Sequence, residues 1–294
     1  MSLWVDLSVK NCPSVSGFPP PFFFINRMEM LQIIVLGIIQ GLTEFLPVSS
    51  SGHLILTPLL LNFNDQGLAL DAILHLGTLM AIVIFFKKDL LKIFLGLFDK
   101  ERDSHRLAWS IIVASLPAAL VGFFFADWIE TNLRSPTFVA INLLIWSVVF
   151  YMSDRSAKKH DQTQSNLIEL PPLRIFFIGC AQAIALLPGT SRSGITIAAG
   201  LFSNLDPVTA TRFSFLLGSP IIFAAGMQKL ITFISQPTDL QSYTHLHLLV
   251  GLSVSFLVGL IAIKLLLKVV EKVGLLPFIV YRIVLAIAIL TFYQ

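Results

Sequence analysis

Charged side chains are scarce in this chain of 294 residues, since only 13% are Asp, Glu, Lys or Arg. Soluble domains usually contain roughly 25%. Hydrophobic residues make up 55% of the sequence and the mean hydropathy is +0.83, which excludes an ordinary soluble domain. Because a membrane span needs about 20 apolar residues, the length allows several spans and leaves little for an extramembrane domain. Any chemistry is therefore expected inside the membrane region.

Cysteine is rarer still, with only Cys12 and Cys180, which lie far apart in the chain. Two such residues fit neither a disulfide framework nor a Cys-x-x-Cys metal site, so redox chemistry is not expected. The net charge of +3 does not indicate nucleic-acid binding, because the basic residues lie between apolar blocks, as loop charges of membrane proteins do.

The first 27 residues lack the basic start, apolar core and small-residue cleavage site of a signal peptide. They contain Pro19, Pro20 and Pro21 among polar residues instead. Met28 directly precedes the apolar pattern. We therefore interpret 1–27 as a disordered extension or an upstream start-site artefact, and 28–294 as one integral membrane domain.

Eight apolar blocks follow the leader, at 31–46, 68–86, 107–126, 137–152, 175–187, 213–231, 246–267 and 275–293. The first and fifth are short and end at Pro47 and Pro188, and each is followed by a Ser-rich turn and a second short apolar piece. Irregular backbone is tolerated at membrane depth only where protein or water satisfies it. These two blocks therefore predict re-entrant hairpins, and the other six predict spans.

An internal repeat supports this division. LGIIQGLTEFLPVSSSG (36–52) aligns without gaps to IGCAQAIALLPGTSRSG (178–194), so that repeat one covers about 30–153 and repeat two about 172–294. Three spans per half is an odd number, which inverts the second half relative to the first. The predicted fold is an all-α polytopic membrane protein with six transmembrane helices, two re-entrant helical hairpins and an inverted-topology repeat. Eight plain spans would instead make the halves parallel, and the short, broken blocks disfavour them.

Most basic residues fall on one predicted side: Lys87, Lys88, Lys92, Lys100, Arg102, Arg106, Arg155, Lys158, Lys159, Arg174, Lys268 and Lys272. That side is cytoplasmic by the positive-inside rule. Both termini and the first hairpin then lie on the outer face, where basic residues such as Arg27, Arg134 and Lys229 are sparse.

Glu44 is an acidic residue in an otherwise apolar run, and Gln40 is one helical turn before it. An acidic residue at mid-bilayer costs about 3 kcal/mol, so it usually marks a functional site with a partner. The alternative is a Glu satisfied by backbone amides or by an Arg. Gly37 and Gly41 share a neighbouring stripe and predict close packing of another helix.

Three hydroxyls and an imidazole follow Pro47, namely Ser49, Ser50, Ser51 and His53. Ser and His together can supply a nucleophile and a base or acid. A helix-capping turn explains such a cluster more often. Because the motif recurs in the second half of the chain, we favour a functional role for these residues over a capping role.

The second copy reads PGTSRSGIT over 188–196, with Arg192 at the position of Ser50 in the repeat alignment. A Gly-rich turn that opens a helix directs N–H groups at an anion, and Arg binds phosphate in bidentate fashion. The predicted phosphate-binding residues are Ser49, Ser51, Gly189, Thr190, Ser191, Ser193, Gly194 and Thr196. An internal salt bridge from Arg192 to Glu44 is the alternative. ATP binding is rejected because Ile195 stands where a Walker loop requires Lys.

Asp71 and His75 lie four residues apart on the next block, and Arg212 directly precedes the corresponding block of the second half. They are candidates to surround the site, and simple packing roles explain them equally well.

The two motifs together resemble the undecaprenyl-diphosphatase family of bacterial enzymes, also known for bacitracin resistance. The matching segments are Gln40 to Glu44, Ser49 to His53 and Pro188 to Thr196, and the resemblance runs from about residue 28 to the C-terminus. It implies six spans with two inverted hairpins in the bacterial inner membrane. It also implies removal of the terminal phosphate of undecaprenyl diphosphate, which regenerates the carrier lipid for peptidoglycan and other envelope polymers.

On this basis we expect Glu44, Ser50, His53 and Arg192 to be catalytic. Ser50 or a water molecule is the expected nucleophile, with His53 as base or acid. A divalent cation, Mg²⁺ or Ca²⁺, is expected on Glu44 and the carbonyl of Gln40. The expected partners are a polyprenyl diphosphate and membrane lipid, with a homodimer left open. A secondary transporter or polyprenyl-phosphate flippase is the rival function, because carriers also use inverted repeats with broken helices.

Overall fold

The computed structural model describes residues 27–61, 63, 67–100, 104–158, 167, 170–235 and 244–292, which form helices and connecting turns. The helices are α1 (Arg27–Thr43), α2 (Ser50–Leu61), α3 (Gly67–Phe85), α4 (Lys87–Phe98), α5 (His105–Asn132), α6 (Pro136–Ala157), α7 (Pro172–Ile184), α8 (Arg192–Phe202), α9 (Pro207–Ser235), α10 (His245–Val273) and α11 (Leu276–Phe292). The extension expected over 1–27 lies outside the described residues except for its last residue, and Arg102, Lys159 and the side chain of Lys229 lie outside them as well.

Four helices are long and apolar enough to cross a membrane: α5, α6, α10 and the Pro207–Gln228 part of α9. A fifth candidate is the bent pair of α3 and α4, whose axes differ by 83°. Helix α11 is apolar but has only 17 residues. The described helices therefore form an all-helical, multi-pass membrane protein with four or five candidate spans by length and composition.

Helix α4 corrects the interpretation of Lys87, Lys88 and Lys92 as loop residues, because all three lie within this helix. Its sequence, KKDLLKIFLGLF, alternates charged and apolar positions at helical spacing. Such an amphipathic segment is stabilised as a helix at a polar–apolar boundary, because its charged face contacts polar surroundings and its other face contacts apolar ones. The loop interpretation was wrong because the charges were considered without the period of the apolar residues between them.

The two broken blocks form two pairs of short helices, and the helices of each pair pack against each other. Helices α2, α7 and α8 have 12, 13 and 11 residues. At about 1.5 Å per residue these helices are shorter than 20 Å, whereas the hydrocarbon core is about 30 Å thick. None of the three is long enough to span a bilayer alone.

The first helix of each pair packs on the opposite half of the chain, α1 against α10 and α7 against α5. Glycine permits both contacts. A Cβ on Gly41 would lie 2.9 Å from the carbonyl oxygen of Ser255, and one on Gly179 would collide with the backbone of Ala114. The packing role predicted for Gly41 is confirmed. The main apolar core then lies between the two halves, where Phe45 meets Phe215 edge to face at 5.4 Å.

Candidate active site

A cavity of about 290 Å³ lies where the two short helix pairs meet. Its polar lining residues include Glu44, Ser49, Ser50, Ser51, Ser191 and Arg192. Its apolar lining residues include Leu54, Ala126, Ile129, Ile221, Ile222 and Ala225. The structure therefore joins the two sequence motifs, which are about 140 residues apart, around one amphipathic space.

The same turn opens the second helix of each pair. Ser49 and Ser191 both have positive φ angles, 78° and 76°, which non-glycine residues rarely adopt. The Oγ of Ser49 accepts from the amide of Gly52 at 3.3 Å, and the Oγ of Ser191 accepts from the amide of Gly194 at 3.2 Å. Helices α2 and α8 thus begin at the cavity, where their positive ends favour an anion.

Glu44 is the centre of the polar network, and it is only 7% exposed. Its Oε1 accepts from Nη2 of Arg192 at 2.9 Å, and its Oε2 accepts from Oγ of Ser50 at 2.7 Å. The amide of Gln40 donates to Oε2 at 3.2 Å, and Nε2 of His75 lies 3.9 Å from the same oxygen. The ion pair considered as an alternative is thus present, and it lies in the wall of the cavity beside Ser50.

Both ring nitrogens of His53 are hydrogen-bonded to groups other than Ser50. Its Nδ1 hydrogen-bonds the carbonyl oxygen of Ser49 at 2.7 Å, and its Nε2 hydrogen-bonds the hydroxyl of Tyr281 at 2.7 Å, with the two rings stacked. Because a carbonyl can only accept, Nδ1 carries a proton in this arrangement. His53 does not line the cavity, and the hydroxyl of Ser50 is bound by Glu44 rather than by this imidazole.

Five of the expected phosphate-binding residues are close to the cavity without lining it, namely Gly189, Thr190, Ser193, Gly194 and Thr196. Their polar side chains form hydrogen bonds with the turn and with the segments packed around it. Asn142 donates to the hydroxyl of Thr190 at 2.8 Å, Ser193 donates to the carbonyl of Leu46 at 3.3 Å, and Thr196 donates to the carbonyl of Arg192 at 2.8 Å. Ser49, Ser51 and Ser191 do line the cavity.

Of the residues expected around the site, Asp71 and His75 line the cavity and Arg212 does not. His75 hydrogen-bonds the carbonyl of Asp71 through Nδ1 at 2.7 Å, which leaves Nε2 directed toward Glu44. Arg212 pairs with exposed Asp89 at 3.0 Å. A role for Arg212 at the site is therefore not supported.

Arg282 on α11 is the residue that the sequence interpretation missed. It is fully buried and donates to the carbonyls of Pro47, Leu143 and Gly189 and to the hydroxyl of Ser147 at 3.0–3.4 Å. Pro47 and Gly189 belong to the two turns, so this one guanidinium connects both hairpins. A charge inside an otherwise apolar segment was the signal that could have identified it.

The oxygen atoms around Glu44 fit a hard divalent cation. The Oε1 atom of Gln40 is buried and has no hydrogen-bond partner among the described residues, and the carboxylate of Glu44 lies one helical turn away. Mg²⁺ is typically held by one or two carboxylates together with substrate phosphates. Among the described residues, no group of three or more His, Cys, Asp or Glu side chains is placed to hold a metal ion.

Several known proteins are similar to this chain over most of its length. The undecaprenyl-diphosphatase of Idiomarina loihiensis is 40% identical over 267 residues, which cover 89% of this chain and 98% of that protein. Undecaprenyl-diphosphatase 1 of Pseudoalteromonas translucida is 40% identical over 90% of this chain and 99% of that protein, and undecaprenyl-diphosphatase 2 of Stutzerimonas stutzeri is 41% identical over 91% and 99%. The family model for the bacitracin resistance protein BacA matches residues 33–288. The chain therefore belongs to the bacitracin resistance protein BacA family.

Proposed function

We propose that this protein hydrolyses undecaprenyl diphosphate to undecaprenyl phosphate and inorganic phosphate. The reaction recycles the carrier lipid for peptidoglycan and other envelope polymers and confers resistance to bacitracin. The relatives named above carry this activity in their names. The observation that supports it best is the meeting of Glu44, Ser50 and Arg192 in the wall of one cavity, because these residues supply a base, a nucleophile and an anion-binding cation.

The proposed arrangement in the membrane has six spans, formed by α3, α5, α6, α9, α10 and α11, and two re-entrant hairpins, formed by α1–α2 and α7–α8. The short α2, α7 and α8 support the hairpins, and the repeat supports an inverted relation between the halves. The protein is placed in the bacterial inner membrane. The excess of Lys and Arg on one side orients the cavity toward the periplasm, with both termini outside.

We further propose that the diphosphate enters the cavity while the polyprenyl chain stays in lipid. Arg192 and the N-termini of α2 and α8 attract the phosphate charge. The apolar lining residues Ala126, Ile129 and Ile222 suit the first isoprene units. A cavity with both polar and apolar lining residues matches a lipid with an anionic head.

In the proposed reaction, Ser50 attacks the terminal phosphorus as its proton passes to Oε2 of Glu44, the oxygen that its hydroxyl already contacts. The bond between the terminal phosphorus and the bridging oxygen breaks, and undecaprenyl phosphate leaves. Water then hydrolyses the phosphoseryl group and releases inorganic phosphate. His53 is the acid or base for this second step once its Nε2 is free of Tyr281. Direct attack by water is the alternative route.

The proposed cofactor is Mg²⁺ or Ca²⁺, held by Glu44 and the Oε1 atom of Gln40. Such a cation supplies charge neutralisation for the phosphate oxygens.

The test is phosphate release from undecaprenyl diphosphate by the detergent-purified protein in the presence of Mg²⁺ or Ca²⁺. Wild-type protein should release phosphate, and Arg192→Ala should lower kcat/KM by about 100-fold or more. Ser110→Ala is the control, because Ser110 lies on α5 outside the cavity. A wild-type protein that folds but releases no phosphate would overturn the proposal and favour a transport function.

A further inference from the structure

Gln182 is a buried side chain with unused hydrogen-bonding capacity. It lies on α7 and is 1% exposed, and neither its Nε2 nor its Oε1 has a hydrogen-bond partner among the described residues. Buried amides are nearly always paired, because an unpaired one loses its hydration without compensation. Gln182 lines the cavity that contains Ser50 and Arg192. Its side chain therefore belongs to the wall against which a ligand in the cavity would lie.

The other polar side chains of the cavity wall already have partners. Ser50 and Arg192 both bind Glu44, and Ser191 is hydrogen-bonded to Ser193. Within the described part of the chain, Gln182 is the one polar side chain lining the cavity for which no partner is present. A ligand that pairs with this amide gains an interaction without breaking an existing one.

The repeat indicates what kind of ligand this is. Gln182 is the counterpart of Gln40, but the position of Glu44 is occupied by Leu186 in the second half, and the position of Ser50 is occupied by Arg192. In the two motifs, the first half therefore contributes a carboxylate and the nucleophile, and the second contributes a cation and neutral donors. The other carboxylates that line the cavity, Asp71 and Glu130, also belong to the first half, so the side formed by the second half suits an anion.

Gln40 differs from Gln182 in one respect that separates their roles. The amide of Gln40 already donates to Glu44 at 3.2 Å, so this N–H group is not available to a ligand. Gln182 has no such contact. Its amide can bind a phosphate oxygen in addition to those held by Arg192.

We propose that Gln182 is a substrate-binding residue whose Nε2–H donates to an oxygen of the phosphate that remains on the lipid. The proposal rests on the diphosphatase function, since it assigns Gln182 to the second phosphate of that substrate. The terminal phosphate is engaged by Ser50 and Arg192. A contact to the retained phosphate exists before and during the reaction, so it contributes to binding rather than to the chemical step.

The experiment compares Gln182→Leu with wild type in KM, kcat and ligand-free thermal midpoint. Loss of one charge-assisted hydrogen bond should raise KM on the order of tenfold while kcat changes by less than about threefold. The thermal midpoint should not fall, because leucine has a similar volume and removes an unpaired amide. Gln182→Glu should raise KM further, since it adds a negative charge next to the anion.

Two outcomes would overturn the proposal. An unchanged KM in Gln182→Leu would show that the amide does not touch the substrate, and a marked fall in the thermal midpoint with a parallel loss of kcat would show a structural role. A second measurement is stabilisation by inorganic pyrophosphate, which should raise the midpoint of wild type more than that of the variant. If wild type releases no phosphate, the diphosphatase function fails, whereas the pyrophosphate comparison still decides whether Gln182 binds this anion.

Discussion

Ser50 and Arg192 occupy the same position in the two halves of the chain, and both side chains bind Glu44. Ser50 donates to Oε2 at 2.7 Å, and Arg192 donates to Oε1 at 2.9 Å. The preceding serines of the two turns, Ser49 and Ser191, have nearly the same positive φ angle. A symmetric scaffold thus directs two different side chains at one carboxylate.

Glu44→Gln should lower kcat by about 100-fold or more, because the amide neither pairs with the charge of Arg192 nor accepts a proton from Ser50. Gln40→Glu should be tolerated, with activity within about tenfold of wild type, if a cation offsets the second carboxylate. Phosphate release at saturating Mg²⁺ or Ca²⁺ measures both. Equal losses of activity in the two variants would contradict the expectation that Glu44 is essential and that Gln40 can be replaced.

Ser50→Ala should lower kcat by about 1,000-fold if Ser50 is the nucleophile, because it removes the attacking oxygen. Ser110→Ala, on α5 away from the cavity, serves as the control. Brief mixing of wild type with labelled substrate, followed by acid quenching, should yield labelled phosphoserine. Activity of Ser50→Ala within a few-fold of wild type would leave only the water route.

Gly218→Ala should inactivate the protein without unfolding it. A Cβ at Gly218 would collide with the guanidinium of Arg192, and it would therefore push this side chain away from Glu44. We expect a loss of about 100-fold in kcat/KM. Gly122→Ala is a matched control, because a Cβ there would meet nothing closer than 3.9 Å. Full activity of Gly218→Ala would show that Arg192 is not needed in its present position.

Tyr281→Phe should retain activity, within about threefold, whereas His53→Ala should lose about 100-fold. Removal of the phenol hydroxyl frees Nε2 of His53 for proton transfer and leaves the Nδ1 contact to Ser49 intact. Steady-state kinetics on both variants measures the difference. Equal losses would instead indicate that His53 acts mainly by holding α2 against α11.

Arg282→Met should destabilise the protein by about 3 kcal/mol, since it removes a charged donor from several buried carbonyls. This corresponds to a fall of roughly 5–10 °C in the thermal midpoint in detergent. Arg155→Met, at an exposed position of α6, should leave the midpoint within about 2 °C. An unchanged midpoint in Arg282→Met would contradict the view that Arg282 connects the two hairpins.

The residues of the two motifs were predictable from the sequence, because a membrane segment makes each charge expensive and therefore informative. Glu44 and Arg192 stand out against apolar neighbours, and their turns recur in register. Arg282 obeys the same rule but belongs to no repeated motif, so it was overlooked. Helix α4 was missed because its charges resemble those of a loop.

The sequence by itself determined a helical membrane protein with two broken, Ser-rich turns, since hydropathy, helix breakers and repeats are local properties of the chain. Only the tertiary structure decided which groups meet. It paired Glu44 with Arg192 and His53 with Tyr281, and among the described residues it left Gln182 at the cavity without a hydrogen-bond partner. These choices depend on side-chain directions and on contacts between residues more than 100 positions apart, which no local pattern specifies.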